Sequence, residues 1–185
     1  MIGWHPDQPE DARYDSTAGA IHAVKANGAE IGGDVSFGST SADDEAFDVQ
    51  GMISLIGAQI GGDLYISSAR LNFPGELTIC ADIITVNGTT FIDNTYSNGV
   101  LSFVQATLKQ GLTVNSVTFD VTKGSRHWAD DKVDTDEDLE GPACGLYASF
   151  AAVTGTFTWQ NIKKIASTHG PGQNSSVVEL IWIDR

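Results

Sequence analysis

The chain has 185 residues, 41% of them hydrophobic, with 24 Asp plus Glu against 10 Lys plus Arg and a formal net charge of −14. That is enough apolar matter for one packed core, which excludes wholesale disorder, and the acidity excludes nucleic acid or an anionic membrane surface as the main partner. No apolar run approaches the roughly 20 residues of a spanning helix, and the 20 Gly follow no Gly-X-Y period, which excludes collagen.

Residues 1–19 hold Pro6, Pro9 and the run Glu10-Asp11-Ala12-Arg13, and read as a polar lead-in or cap. Met1 to Asp7 carries neither a basic nor an apolar stretch, so no signal peptide is visible and the cytoplasm is the default location. From 20 to 123 the chain repeats. Gly28-Ala29-Glu30-Ile31-Gly32-Gly33-Asp34-Val35-Ser36-Phe37 recurs as Gly57-Ala58-Gln59-Ile60-Gly61-Gly62-Asp63-Leu64-Tyr65-Ile66, with six identities. Inside it lies a shorter unit, apolar-x-apolar-x-x-Ala-x-apolar. Ile53-Leu55-Ala58-Ile60, Leu64-Ile66-Ala69-Leu71 and Leu101-Phe103-Ala106-Leu108 fit it, and Leu112-Val114-Val117-Phe119 fits with Val in the Ala slot. Leu77 to Val86 fits only loosely. The units come in pairs with equal spacing, one starting at Ile53 and Leu64, the other at Leu101 and Leu112.

Alternation with period 2 over ~3–4 residues, punctuated by Gly, Asn or Ser, is a strand signature. A unit that small buries its apolar face only when copies stack. The expected fold is all-β: a right-handed parallel β-helix with short strands, capped ends and an inserted acidic loop, its rung roughly 22–25 residues long. The offset from Gly28 to Gly57 is longer than such a rung and requires an insertion, placed at Gly38-Ser39-Thr40-Ser41-Ala42-Asp43-Asp44-Glu45. Ala29, Ala58, Ala69, Ala106 and Ala151 are expected inward at tight corners. The Gly pairs 32–33 and 61–62 are expected to supply positive φ or close approach of neighbouring coils. Asp34 and Asp63 read as turn residues bonding their own backbone, rather than as a carboxylate pair for glycoside chemistry. They recur with the repeat, and the later copies carry Gln110 or Thr156 in their place.

The runs Ala26-Asn27-Gly28-Ala29-Glu30-Ile31-Gly32-Gly33-Asp34-Val35 and Phe47 to Leu64, with the corner Ala69-Arg70-Leu71-Asn72-Phe73-Pro74-Gly75, resemble the repeats of bacterial β-solenoid proteins described as membrane-associated oxidoreductases. The resemblance covers residues 20–92 well and 99–120 and 143–162 more weakly. It implies a solenoid and admits membrane association. It carries no redox site here, since the chain has no G-x-G-x-x-G after a strand, no C-x-x-C and no His/carboxylate metal spacing.

Residues 124–142 interrupt the repeat with Trp128 and seven acidic residues, and read as a loop extruded from the coil. Asp134, Asp136, Asp138 and Glu140 are the candidate metal ligands and Ca²⁺ the candidate ion, because hard cations take carboxylates from irregular loops. The EF-hand pattern fails at Leu139 and Gly145, and a solvated loop is the plainer account. Trp128 with Asp134, Asp136 and Asp138 is the candidate ligand site. Cys80 and Cys144 read as buried thiols, and His5, His22, His127 and His169 as surface residues. Of the tryptophans, Trp159 belongs to a further copy, Ala151–Trp159, which aligns without gaps on Ala58–Ile66, and it packs in the core at the place of Ile66. Trp4 and Trp182 have no assigned part. The threonines are too irregular for an ice-binding row. Residues 143–185 hold the last coils and a C-terminal cap, with a brief helical turn at Ile162-Lys163-Lys164-Ile165 and a closing strand at Val177–Ile183. No catalytic residue and no cofactor other than that Ca²⁺ is expected. The expected function is a non-catalytic structural or interaction module with a protein or carbohydrate partner, alone or as part of a longer repeat protein. The alternative is a β-helix that binds or cleaves polysaccharide.

Overall fold

The computed structural model describes residues 22–38, 46–122 and 145–165. Within them the chain passes five times through the same four sides. The first coil is β1 (His22–Lys25), β2 (Glu30–Ile31), β3 (Val35–Gly38) and β4 (Phe47–Gln50). The second is β5 (Met52–Ser54), β6 (Gln59–Ile60), β7 (Leu64–Ser67) and β8 (Ala69–Asn72). The third is β9 (Leu77–Cys80), β10 (Thr85–Val86), β11 (Thr89–Asp93) and β12 (Tyr96–Ser97). The fourth is β13 (Val100–Ser102), β14 (Thr107–Leu108), β15 (Gly111–Asn115) and β16 (Thr118–Asp120). The fifth is β17 (Leu146–Tyr147), β18 (Ala152–Val153), β19 (Thr156–Gln160) and β20 (Lys163–Ile165). Equivalent strands pair in parallel into four sheets, each five strands deep, here called A to D in chain order. The chain is a β-solenoid, as its repeat predicts. Among the described residues there is no helix, and so none long and apolar enough to cross a membrane.

The inward rows explain why such short strands hold. Ile31, Ile60, Val86, Leu108 and Val153 stack on side B, and Phe37, Ile66, Ile92, Val114 and Trp159 on side C. In the middle coils these residues are wholly buried, and with Ile53, Leu71, Ile79, Leu101 and Phe119 they form one core. Outward positions on sheet C are partly exposed, as the alternation in β7 and β11 shows. Sheet A differs. Ser54, Cys80 and Ser102 on its outer face are also fully buried, beside a second apolar cluster of Met52, Leu77, Cys80 and Val100. A parallel sheet buried on both faces loses the polar alternation, which is why this side reads as a near-continuous apolar run.

The plain rung is 22 residues, the separation of Asp93 from Asn115 across sheet C. Asp34 and Asp63, equivalent in the first two coils, are 29 apart, and Asp63 and Thr89, equivalent in the next two, are 26 apart. The step from Leu108 to its partner Val153 is longer still. Each surplus falls at or next to a corner of side D. The first lies between β3 and β4: the whole stretch 39–46 separates Gly38 from Phe47, while only Ser68 separates their partners Ser67 and Ala69. That is the corner where the insertion is expected, and residues 39–45 themselves lie outside the described residues. The second is the Phe73–Glu76 corner between β8 and β9, together with one extra residue at the register shift within β9. The third separates β16 from β17 and contains the acidic segment. The lead-in, the closing strand at 177–183 and both expected caps also lie outside the described residues.

The corner from side A to side B is a β-turn in every coil. Ala58 N–H donates to the Leu55 carbonyl at 3.0 Å and Ala106 N–H to the Phe103 carbonyl at 3.2 Å. The residue before the Ala slot has positive φ each time: Gly28, Gly57, Ile83, Gln105 and Phe150. The corner from C to D repeats this at Ser68, Asn94, Ser116 and Asn161. Positive φ at the third turn position is the type II pattern, for which Gly is preferred. The expectation for the Gly pairs is therefore corrected in part. Positive φ belongs to Gly28 and Gly57, whereas Gly61 and Gly62 serve close approach: a Cβ on Gly61 would lie 2.5 Å from the Gly32 carbonyl oxygen.

Two further expectations change. The Ala slot does not demand Ala. Ile84 fills it in the third coil, fully buried, and on the C–D side Thr95 fills the slot beside the expected Val117. Residues 163–165 are a strand, not a helical turn, because β20 extends the ladder of β16.

Candidate functional site

The segment that carries Trp128, Asp134, Asp136, Asp138 and Glu140 lies outside the described residues, as do Trp4, Trp182, His5, His127, His169 and Cys144. The chain leaves side D after Asp120 and returns to side A at Leu146. Among the described residues no three His, Cys, Asp or Glu side chains gather as a metal site. Cys80 is fully buried in the outer cluster of sheet A, and His22 opens β1 half-buried. Trp159 packs against the core in the row of Ile66, its ring stacked 6.3 Å from Phe119.

The aspartates after Gly-Gly are structural, but by a different bond than expected. Asp34 Oδ1 accepts from the Asp63 amide one coil on, at 2.8 Å, and Asp63 Oδ1 accepts from the Thr89 amide at 2.7 Å. Each aspartate thus clasps the next coil rather than its own turn. The glycine opposite leaves room for it, since a Cβ on Gly62 would lie 2.0 Å from Asp34 Oδ1 and one on Gly88 2.1 Å from Asp63 Oδ1. Gly-Gly-Asp is therefore an inter-coil clasp, and the ladder places Thr89, Gly111 and Thr156 in the later copies, which corrects the expected Gln110 to Gly111. Asn27 and Asp82 repeat the device between A and B. Asn27 Oδ1 accepts from the Ile56 amide at 3.2 Å, and Asp82 Oδ1 from the Val104 amide at 3.0 Å and from the Ser102 hydroxyl.

A polar and aromatic surface lies on the outer face of sheet C. Its middle row is Ser36, Tyr65, Phe91, Thr113 and Thr158. Tyr65 and Phe91 stack with centroids 5.1 Å apart and planes 5° from parallel. The Tyr65 hydroxyl donates to Asp63 Oδ2 at 2.7 Å. That bond, with burial and the charges of Asp63 and Asp34, raises the Tyr65 pKa above its ordinary value of 10.0. On the other flank Asn115 Nδ2 donates to Asp93 Oδ1 at 2.7 Å and Asn161 Nδ2 to Asn115 Oδ1 at 2.9 Å. Side D adds Arg70 over the Tyr96 ring at 5.9 Å, with the Tyr96 hydroxyl donating to Asp120 at 2.9 Å. Burial, then this bond and charge, raises Tyr96 as well, against a smaller opposing effect of Arg70.

Sequence reasoning missed this face, although its signal was present: Tyr65 and Phe91 are outward aromatics in strands whose other outward positions are small or polar. Fold and geometry together define a β-solenoid with a ladder-braced lateral face. No protein-family model, no curated protein and no solved structure matches the chain.

Proposed function

We propose that the chain is a non-catalytic β-solenoid, a structural or interaction module whose working surface is the outer face of sheet C. The observation that carries this is the engagement of the carboxylates there. Asp63 uses one oxygen for the Thr89 amide and the other for the Tyr65 hydroxyl, and Asp93 holds Asn115. A general acid or nucleophile needs a carboxyl aimed at substrate. These are aimed along the ladder, where they stiffen the face. The resemblance to membrane-associated solenoid proteins suits such a scaffold.

The stacked pair Tyr65–Phe91 favours a second reading, polysaccharide binding, since amide and carboxylate flanks beside aromatic rings suit hydroxyl-rich ligands. One set of assays separates the readings. Incubation with polysaccharides and reducing-sugar detection, with and without Ca²⁺, yields no product if the module is non-catalytic, and product formation overturns that reading. A glycan array that lights up and goes dark for Phe91→Ala establishes the carbohydrate reading. Titration calorimetry and a melt in millimolar Ca²⁺ give no heat and no rise in Tm unless residues 134–140 hold the ion.

A further inference from the structure

The corner from side A to side B changes character along the stack. Its positive-φ position is Gly28 and Gly57 in the first two coils, and Ile83, Gln105 and Phe150 in the third, fourth and fifth, at φ +59°, +56° and +57°. Glycine is the residue this turn position favours. A β-branched and an aromatic side chain held there are backbone outliers, and such outliers gather at functional positions. Among the described residues the exposed large hydrophobics are the same two, Ile83 at 56% and Phe150 at 64%. Exposed apolar side chains scattered singly need no explanation. These two share one turn position, with exposed Gln105 in the coil between them.

The ladder sets the three in a row. The Ile83 amide donates to the Val104 carbonyl at 2.7 Å and the Gln105 amide to the Ser149 carbonyl at 2.9 Å. Successive turns therefore lie one strand spacing apart, about 4.8 Å. The row reads apolar, amide, apolar, and is its own complement when turned end over end about Gln105. Gln105 then meets the Gln105 of a second copy, donor to acceptor both ways. Ile83 of each copy meets Phe150 of the other. The surroundings allow two chains of formal net charge −14 to approach here. The outward residues of the same coils are Thr85, Thr107 and Ala152 on side B, and Cys80, Ser102 and Tyr147 on side A, none of them acidic or basic. Asp82, the carboxylate of these three turns, is buried, with Oδ1 accepting from the Val104 amide. Like charge facing like charge would oppose the contact, and this edge presents none.

We infer that the edge between sheets A and B is a dimerisation surface, on which a second copy of the chain docks antiparallel about a two-fold axis at Gln105. Closed two-fold contacts are the commonest in homo-oligomers. A contact only three coils long belongs to the weak class, below ~1,200 Å², so the dimer forms as concentration rises and grows no further. This edge shares no residue with the outer face of sheet C.

Analytical ultracentrifugation of the full chain from about 10 μM to about 1 mM, where weak contacts form, tests this. The weight-average mass rises toward twice the single-chain value and stops there. Ile83→Asp and Phe150→Asp each hold it at the single-chain value, with an unchanged β-type circular dichroism spectrum. So does the double variant Ile83→Gly with Phe150→Gly, which restores the residue of the first two coils and relieves the backbone, so that a folding defect is not mistaken for an answer. In a Cys144→Ser background under mild oxidant, Gln105→Cys links into a covalent dimer about ten-fold faster than Gln110→Cys, because docking raises the effective concentration of the thiol. Gln110 is exposed away from this edge. A wild type that keeps the single-chain mass throughout, or a Gln105→Cys that links no faster than Gln110→Cys, overturns the inference. So does growth beyond two chains, or assembly that persists in the glycine variant. Sedimentation of the wild type with phosphatidylcholine vesicles in place of dimerisation, lost in both aspartate variants, would assign the edge to a lipid surface and overturns it equally.

Discussion

Ile83 holds φ at +59°, a left-handed conformation that is a true outlier for a β-branched residue, and it is 56% exposed. Its amide donates to the Val104 carbonyl at 2.7 Å, and this ladder bond imposes the conformation. Ile83→Asn, the residue found at the matching place in Asn94, is expected to raise stability by about 1 kcal/mol through released backbone strain; a lower Tm would refute the strain. Thr90 sits in the inward row of Val35, Leu64, Leu112 and Phe157, and its Oγ1 is buried without a hydrogen-bond partner. Thr90→Val removes that desolvated hydroxyl and is expected to add about 1–2 kcal/mol, read from denaturant unfolding. Tyr65 makes stability depend on alkaline pH. Its pKa is raised in the fold, so the unfolded chain ionises first: the contribution is full below pH 10.0 and falls as pH rises toward the folded value. The stability advantage of wild type over Tyr65→Phe should therefore shrink above pH 10.0, and a difference that stays constant as pH rises above 10.0 would exclude the bond to Asp63 as its source. Lys164, with its pKa lowered, acts with the opposite sign below 10.5, which is why the comparison uses the variant rather than the wild type alone.

At the scale of the turn and its two strands, volume is kept between the second and third rungs. The second coil pairs Leu55 with Ala58, the third Ala81 with Ile84 and the fourth Phe103 with Ala106, all fully buried or nearly so. Bulk has moved from one position to the other while the corner keeps its shape. Ile84→Ala is expected to cost about 2–4 kcal/mol by leaving a cavity. Adding Ala81→Leu rebuilds the arrangement of the second coil, and recovery of most of the lost stability in thermal melts is the expected outcome. This swap is why Leu77 to Val86 fits the repeat only loosely when read as letters. Most of the coil was legible, because Ile53-Leu55-Ala58-Ile60 states strand, turn and strand within one short unit. The Gly-Gly-Asp clasp was legible as a turn but not as a bond between coils, since its acceptor and donor are 29 residues apart in Asp34 and Asp63. The strand at 163–165 was hidden by Lys164, whose charge breaks the alternation in the inward row of Leu71 and Phe119.

Among the described residues, the plain rung seen between Asp93 and Asn115 is lengthened beside side D, and by one residue at the register shift within β9. Removing residues 39–45 with Ala46→Asn brings the first coil to that length and sets Asn where Asn94 and Asn161 stand. The shortened chain is expected to keep a β-type circular dichroism spectrum and a Tm within a few degrees of wild type, since loop closure costs change slowly with length; loss of cooperative melting would show that 39–45 support the fold. The site fared worse than the fold at this scale. Trp128 and the acidic run stand out as letters but lie outside the described residues, while Tyr65 and Phe91, a full coil apart in sequence, meet only once the chain is wound.

From side A to side B the spacing of the inward residues is constant in the second to fifth coils, the same from Ile79 to Val86 as from Ile53 to Ile60. From side B to side C it is constant in all five, the same from Ile31 to Phe37 as from Ile60 to Ile66. A single residue gained or lost there would turn a whole strand inside out. Growth is harmless only along the flank bordering D. The molecule therefore has a seam that accepts foreign peptide and a back that does not, so a graft belongs at the already lengthened Phe73–Glu76 corner, where Pro74 is exposed, and not at Asn98-Gly99, where Gly99 is buried and Asn98 Oδ1 holds the Phe73 amide.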